Sequence, residues 1–146
     1  MLPAKGSITG MSPGAEIISL KVLDKNGMGS WSSLVLALDH VEKFGVSGDV
    51  VLMSLGAPVG LNCANFEPFL NGIISDLGSK GITVVMSAGN DRSSANENLP
   101  GCINGSNVFT VGALDFTWEV TKKLGNRLEL KILKIIVLRD IYFFIN

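Results

Sequence analysis

The hydrophobic pattern of the chain switches between two periods. Glu16–Leu23 (EIISLKVL) is a short β-branched, apolar run, which predicts a strand. The glycine-rich loop DKNGMGS follows. Between Trp31 and Phe44, Leu34, Ala37, Leu38 and Val41 recur on one face, with Asp39, Glu42 and Lys43 opposite. That spacing predicts an amphipathic helix, with Ser30 suited to the N-cap and Gly45 to the stop. Asp49–Leu55 (DVVLMSL) predicts a second strand. From Phe66 to Leu77, Phe66, Phe69, Leu70, Ile73, Ile74 and Leu77 fall at helical spacing, and Pro68 is tolerable near the start. Ile82–Ala88 (ITVVMSA) predicts a third strand, Gly89–Ser106 a polar loop, and Asn107–Leu114 (NVFTVGAL) a fourth strand.

Strands that alternate with helices pair in parallel through right-handed crossovers. Apolar strands of this kind fit a sheet covered on both sides. The predicted fold is therefore α/β, a parallel sheet with helices on both faces. Function in such folds gathers at the carboxyl ends of the strands. Those ends are Asp24–Ser30, Ser54–Gly60 and Gly89–Asn98.

Composition divides the chain. All 17 glycines lie at or before Gly125, and the last serine is Ser106. The segment that follows reads RLELKILKIIVLRDIYFFIN, apolar and basic, without Gly, Ser or Pro. Two units are expected, 1–123 and a divergent tail, 124–146. The tail's apolar pieces are aggregation-prone if unpaired; a retained intron, a frameshift or a gene-model error would account for them, as would a helix or strand pair over exposed core.

The remaining counts mainly exclude. Among 146 residues, 12 Lys+Arg balance 13 Asp+Glu, which leaves no basic device for nucleic acid. A hydrophobic content of 47% against 17% charged excludes intrinsic disorder. No uninterrupted apolar stretch approaches the roughly 18 residues of a membrane helix. With one His and two Cys, a zinc site built from several such ligands is nearly excluded, and no cofactor or metal is expected. His40 lies on the polar side of its helix beside Asp39 and Glu42, away from any strand end, which disfavours it as a general base. Cys63 and Cys102 can pair in an oxidising compartment or persist as two thiols.

At the strand ends, Ser87, Ala88 and Gly89 are small enough for close approach, and Asn90 follows with a neutral amide donor. Such a donor suits a developing oxyanion, and it equally suits a turn cap. Ser54, Leu55 and Gly56 can line a pocket beside an extended peptide, or simply end a core strand. Gly27-Met28-Gly29 matches half of a dinucleotide fingerprint and lacks the third glycine.

Taken in order, ITGMSPGAEIISLKVLDKNGMGSWSSLVLALD, DVVLMSLG, GITVVMSAGND and NVFTVGALD resemble the middle of the catalytic domain of a subtilisin-like serine protease (subtilase, peptidase S8). The resemblance covers about Gly6 to Lys123. It implies a hydrolase that cleaves peptide bonds through an acyl-enzyme. It implies that Asn90 is the oxyanion-hole asparagine. It implies that Ser54, Leu55 and Gly56 line one side of the primary specificity pocket and Ser87, Ala88 and Gly89 the other. Gly27, Met28 and Gly29 would pair with the substrate backbone, with Trp31 at an outer subsite. The implied partner is an extended polypeptide substrate or inhibitor. The family is mostly secreted or found in secretory and lytic compartments, whereas MLPAKGS shows no extended apolar region of a signal peptide. The departures matter as much. Subtilases carry Asp, His and Ser in that chain order. The Asp and His motifs would fall before Ala4, and the Ser motif beyond Lys123. The family's tight calcium loop has no room in Lys5–Gly10. The expectation is a fragment with the oxyanion donor and pocket walls but without the triad, or an inactive peptide-binding product.

Overall fold

The computed structural model describes residues 12–60, 63–91, 93–112 and 140–145. Five strands form a parallel sheet: β1 (Glu16–Lys21), β2 (Val50–Met53), β4 (Thr83–Ser87), β6 (Val108–Val111) and β7 (Asp140–Ile145), in the order β1-β7-β2-β4-β6. A two-stranded antiparallel ribbon pairs β3 (Ala57–Pro58) with β5 (Asn98–Leu99). Four of the sheet's strands, β1, β2, β4 and β6, are those predicted from the periodicity.

Helix α1 (Trp31–Phe44) starts and stops as its sequence predicts. Ser30 Oγ accepts the Ser33 amide at 3.1 Å, and the Gly45 amide donates to Val41 O at 2.7 Å. Leu34, Leu38 and Val41 are buried along one stripe. The second predicted helix is displaced. Pro68 lacks an amide hydrogen and sits in the first turn of α3 (Pro68–Ser79), while Phe66 closes a separate short helix, α2 (Cys63–Phe66). The break turns Phe66 and Phe69 out of the expected apolar stripe, and Phe69 is 81% exposed. Leu70, Ile74 and Leu77 carry the buried face instead.

The β1–α1–β2 and β2–α3–β4 crossovers step in the same direction across the sheet, so right-handedness places both helices on one face. The core lies under them: Val51, Met53, Val84, Met86 and Val108 project from the strands against Leu38, Val41, Leu70, Ile74 and Leu77. Among the described residues the opposite face carries Leu52, Val85 and Phe109 side by side, each partly exposed. The described helices therefore cover one of the two faces the sequence expects to be covered.

The tail contributes a strand. β7 runs parallel to β1 over Glu16–Lys21 and parallel to β2 over Val50–Met53. Among the described residues, β1 meets the rest of the sheet only through β7. Lys5–Gly10, where the calcium loop is expected to have no room, and the end of the predicted fourth strand beyond Gly112 lie outside the described residues.

Candidate functional site

All five strands run the same way, so the loops after β1, β2 and β4 leave one edge of the sheet together. Asp24 opens the first loop. Its carboxylate accepts the amides of Asn26 at 2.8 Å and Met28 at 2.9 Å, and its own amide donates to Met28 O at 2.7 Å. The bond from Met28, then that from Asn26, holds this carboxyl below the usual aspartate range. Gly27 takes φ +77°, and Leu23 and Gly29 form an antiparallel bridge. The chain thus doubles back on itself and presents Met28, 69% exposed, at the tip. A Cβ on Gly29 would lie 2.5 Å from Val22 O, so the close return of this loop requires glycine there.

Trp31 and Leu34, on the first turn of α1, join this loop to the second strand end. With Leu23, Met28, Leu55 and Gly56 they line a cavity of about 260 Å³ that is mostly apolar. Gly27–Trp31 from the first predicted group and Leu55 and Gly56 from the second therefore share one hollow, whereas Ser54 is not in its lining.

The other predicted wall stands beside the first. Met53 pairs with Met86, so Ser54 and Ser87 leave adjacent strands at the same level. Ser87 Oγ accepts the Gly89 amide at 3.2 Å, and Ala88 donates to Val111 O at 3.0 Å. Gly89 has φ +93°. Asn90 follows, exposed at the rim of the sheet edge.

One residue between the walls has no sequence signal. Pairing of β3 with β5 sets Asn98 opposite Pro58, and its side chain wedges between Gly56 and Gly89. A Cβ on Gly56 would lie 2.5 Å from Asn98 Oδ1, and one on Gly89 would collide with Asn98 Nδ2. Nδ2 donates to Asp91 at 3.2 Å, whereas Oδ1 is buried and without a partner among the described residues. A buried acceptor left open is costly unless something donates to it. Cys63 and Cys102 form a disulfide that ties α2 to the turn after β5, which settles the alternative that the sequence leaves open. Gly101 packs against Ser87 O, and its own carbonyl accepts Thr110 Oγ1 at 2.6 Å. His40 sits more than two turns along α1 from Trp31, exposed and against Phe44 with ring centroids 4.7 Å apart. It takes no part in the cleft. Among the described residues no cluster of His, Cys, Asp or Glu could hold a metal ion.

Residues 3–122 match the model of the subtilase family, across most of the sheet and all three loops. The chain belongs to the subtilase family. It is 35% identical over 113 residues to subtilisin-like protease 2 of Pseudogymnoascus destructans, covering 77% of this chain and 26% of that protein. It is 36% identical over 112 residues to an extracellular serine proteinase of Thermus sp., covering 77% and 25%, and 32% identical over 109 residues to subtilisin DY of Bacillus licheniformis, covering 74% and 37%. This subtilase chain thus spans between a quarter and somewhat over a third of the length of these relatives. The matched stretch ends at residue 122, so β7 lies outside it.

Proposed function

We propose that this chain is the substrate-holding part of a serine endopeptidase. The observation that carries the proposal is the convergence of the Gly27–Trp31, Ser54–Gly56 and Ser87–Gly89 segments at one sheet edge, with Asn90 beside them. An extended peptide lies between the first two segments, adding its backbone to theirs. Its side chain enters between Gly56 and Gly89, where Asn98 forms the floor and the open Oδ1 accepts a donor from small polar residues. Asn90 donates its amide to the carbonyl oxygen as that oxygen gains charge in the tetrahedral intermediate. The nucleophile and base come from parts of a longer protein. Neither His40 nor Ser30, Ser54 or Ser87 takes those roles.

A second proposal rests on the absence of the family's His and Ser motifs from these 146 residues. On it, the chain binds extended peptides without cleaving them. Homogeneous protein is expected to give no hydrolysis, because removal of base and nucleophile leaves only residual transition-state binding. It is expected to bind a peptide inhibitor by calorimetry, and Gly56→Val, which drives side-chain atoms into Asn98 and Leu99 O, should weaken that binding at least tenfold, about 1.4 kcal/mol. Labelling by a fluorophosphonate probe would overturn the assignment of the nucleophile to another segment. Unchanged affinity in the Gly56 variant would overturn the pocket. Coding sequence with triad motifs in frame on both sides decides for the endopeptidase, and its absence for the binding protein.

A further inference from the structure

The turn between β5 and β6 carries a motif that the cleft does not use. Asn104-Gly105-Ser106 fits the acceptor pattern for an N-linked glycan, Asn-X-Ser/Thr with X other than proline. No other asparagine of the chain has Ser or Thr two positions on. The pattern is short, so what decides is where the fold puts it.

All three residues are exposed. The backbone around them is held: the Val108 amide donates to Gly105 O at 3.4 Å, and Asn107, at φ +55°, donates Nδ2 to Gly78 O at 2.9 Å. Asn104 Nδ2 itself donates to Cys102 O at 3.0 Å. A primary carboxamide has two hydrogens to give. This bond uses one and a link to a sugar replaces the other, so the turn keeps its hydrogen bond when a glycan is attached. The position is also free of the cleft. Asn107 O accepts the amide of Val84 at the start of β4, and β6 runs from there towards the cleft edge. The turn therefore lies at the amino end of β6 beside Ser75 and Gly78 of α3, and the four residues of β6, about 13 Å of strand, separate it from the cleft edge.

A second observation points the same way. The Cys63–Cys102 bridge ends two residues before Asn104. Structural disulfides form in oxidising compartments, of which the lumen of the secretory pathway is one. Glycans are transferred to asparagine in that same lumen. The motif and the bridge thus ask for one set of surroundings.

We propose that Asn104 is a glycosylation site, and that its donor is a lipid-pyrophosphate-linked oligosaccharide. In the transfer, Nδ2 forms a bond to the anomeric carbon of the first sugar. The bond from that carbon to the pyrophosphate oxygen breaks, and the lipid pyrophosphate leaves with the electron pair. One Nδ2 proton passes to a carboxylate of the transferase. The Ser106 hydroxyl is the group by which the transferase recognises the acceptor. This inference does not depend on the endopeptidase reading.

The full chain tests it, translated behind an added cleavable secretory leader in the presence of endoplasmic-reticulum vesicles. Only product sealed inside the vesicles, protected from added protease, is read. That product should carry one glycan, removed by peptide N-glycosidase, and release in heavy-oxygen water should mark position 104 by mass spectrometry. Asn104→Gln and Ser106→Ala should each abolish the glycan, while Ser106→Thr should retain it. The same chain secreted from cells should carry the glycan together with a closed Cys63–Cys102 bridge, read on a non-reducing gel. Protected chain with Asn104 bare overturns the proposal. So does a glycan that persists in Asn104→Gln, or a secreted chain in which the bridge is closed only on molecules without the glycan.

Discussion

The two sides of the cleft are built differently. On one side, the Ser54–Gly56 and Ser87–Gly89 segments leave adjacent strands and are braced from behind by Asn98, the β3–β5 ribbon and the Cys63–Cys102 bridge. The Ala88 amide is tied to Val111 O, and Gly56 and Gly89 both abut the Asn98 side chain. On the other, the Asp24–Ser30 loop is exposed and is held by one carboxylate and one isolated bridge, at the end of a strand that, among the described residues, touches the sheet only through β7. A pocket needs fixed walls to discriminate between side chains. A segment that pairs with a peptide backbone needs only the right edge and can adjust. If the chain holds a peptide as proposed, the difference assigns selectivity to the β4 side and accommodation to the β1 side.

The comparison breaks most severely at the disulfide. It closes a loop of 39 positions, for which the chain-entropy relation gives about 4 kcal/mol. Reduction, or Cys63→Ser with Cys102→Ser, should lower unfolding stability by about that amount in urea titrations, and should loosen the braced side first. Gly89→Ala comes next. It forces a side chain into φ +93° and against Asn98, and should cost about 1–3 kcal/mol together with most of the peptide affinity. Asn98→Gly should act on selectivity. Removing the wedge opens the floor between the walls, so peptides with larger side chains should gain affinity relative to small ones, by roughly tenfold on competition. The smallest effect belongs to the other side. Asp24→Ala should leave the global unfolding transition in place and speed hydrogen exchange at the Asn26 and Met28 amides. Because the folded state lowers the Asp24 carboxyl below its usual value, its hold on the loop is present at neutral pH and is lost as acid protonates it. Exchange at those two amides should therefore rise, relative to the rest of the chain, below the ordinary aspartate range. An equal response from both sides of the cleft to all four changes would dissolve the contrast.

The sequence announces the parts of the molecule that depend on local pattern. α1 is legible because Leu34, Leu38 and Val41 keep a strict helical spacing between a serine cap and a glycine stop. The four predicted strands are legible because each is a short apolar run between turns. The displaced start of α3 is a local matter too, set by Pro68, and the phenylalanines around it misled because hydrophobic spacing continued through the break. What stays hidden is non-local. Asn98 is one asparagine among several in a polar loop; only pairing with Pro58, forty residues earlier, sets it between the glycines. The same holds for β7. Its apolar residues announce a segment that must be covered, but its place depends on which strand edges are free elsewhere in the sheet. Of the candidate site, the residues that the motifs carry were legible, and the floor between them was not.

Trp31 has a consequence of a different kind. It opens α1, stands half-buried and lines the cavity between the two sides of the cleft. The chain has one other tryptophan, Trp118. With Trp118→Phe, the indole at the rim becomes a single native fluorophore whose emission wavelength and quenching by iodide follow the hydration of the hollow. The molecule thus carries its own optical gauge of cleft occupancy, readable without a label or a substrate that must be turned over.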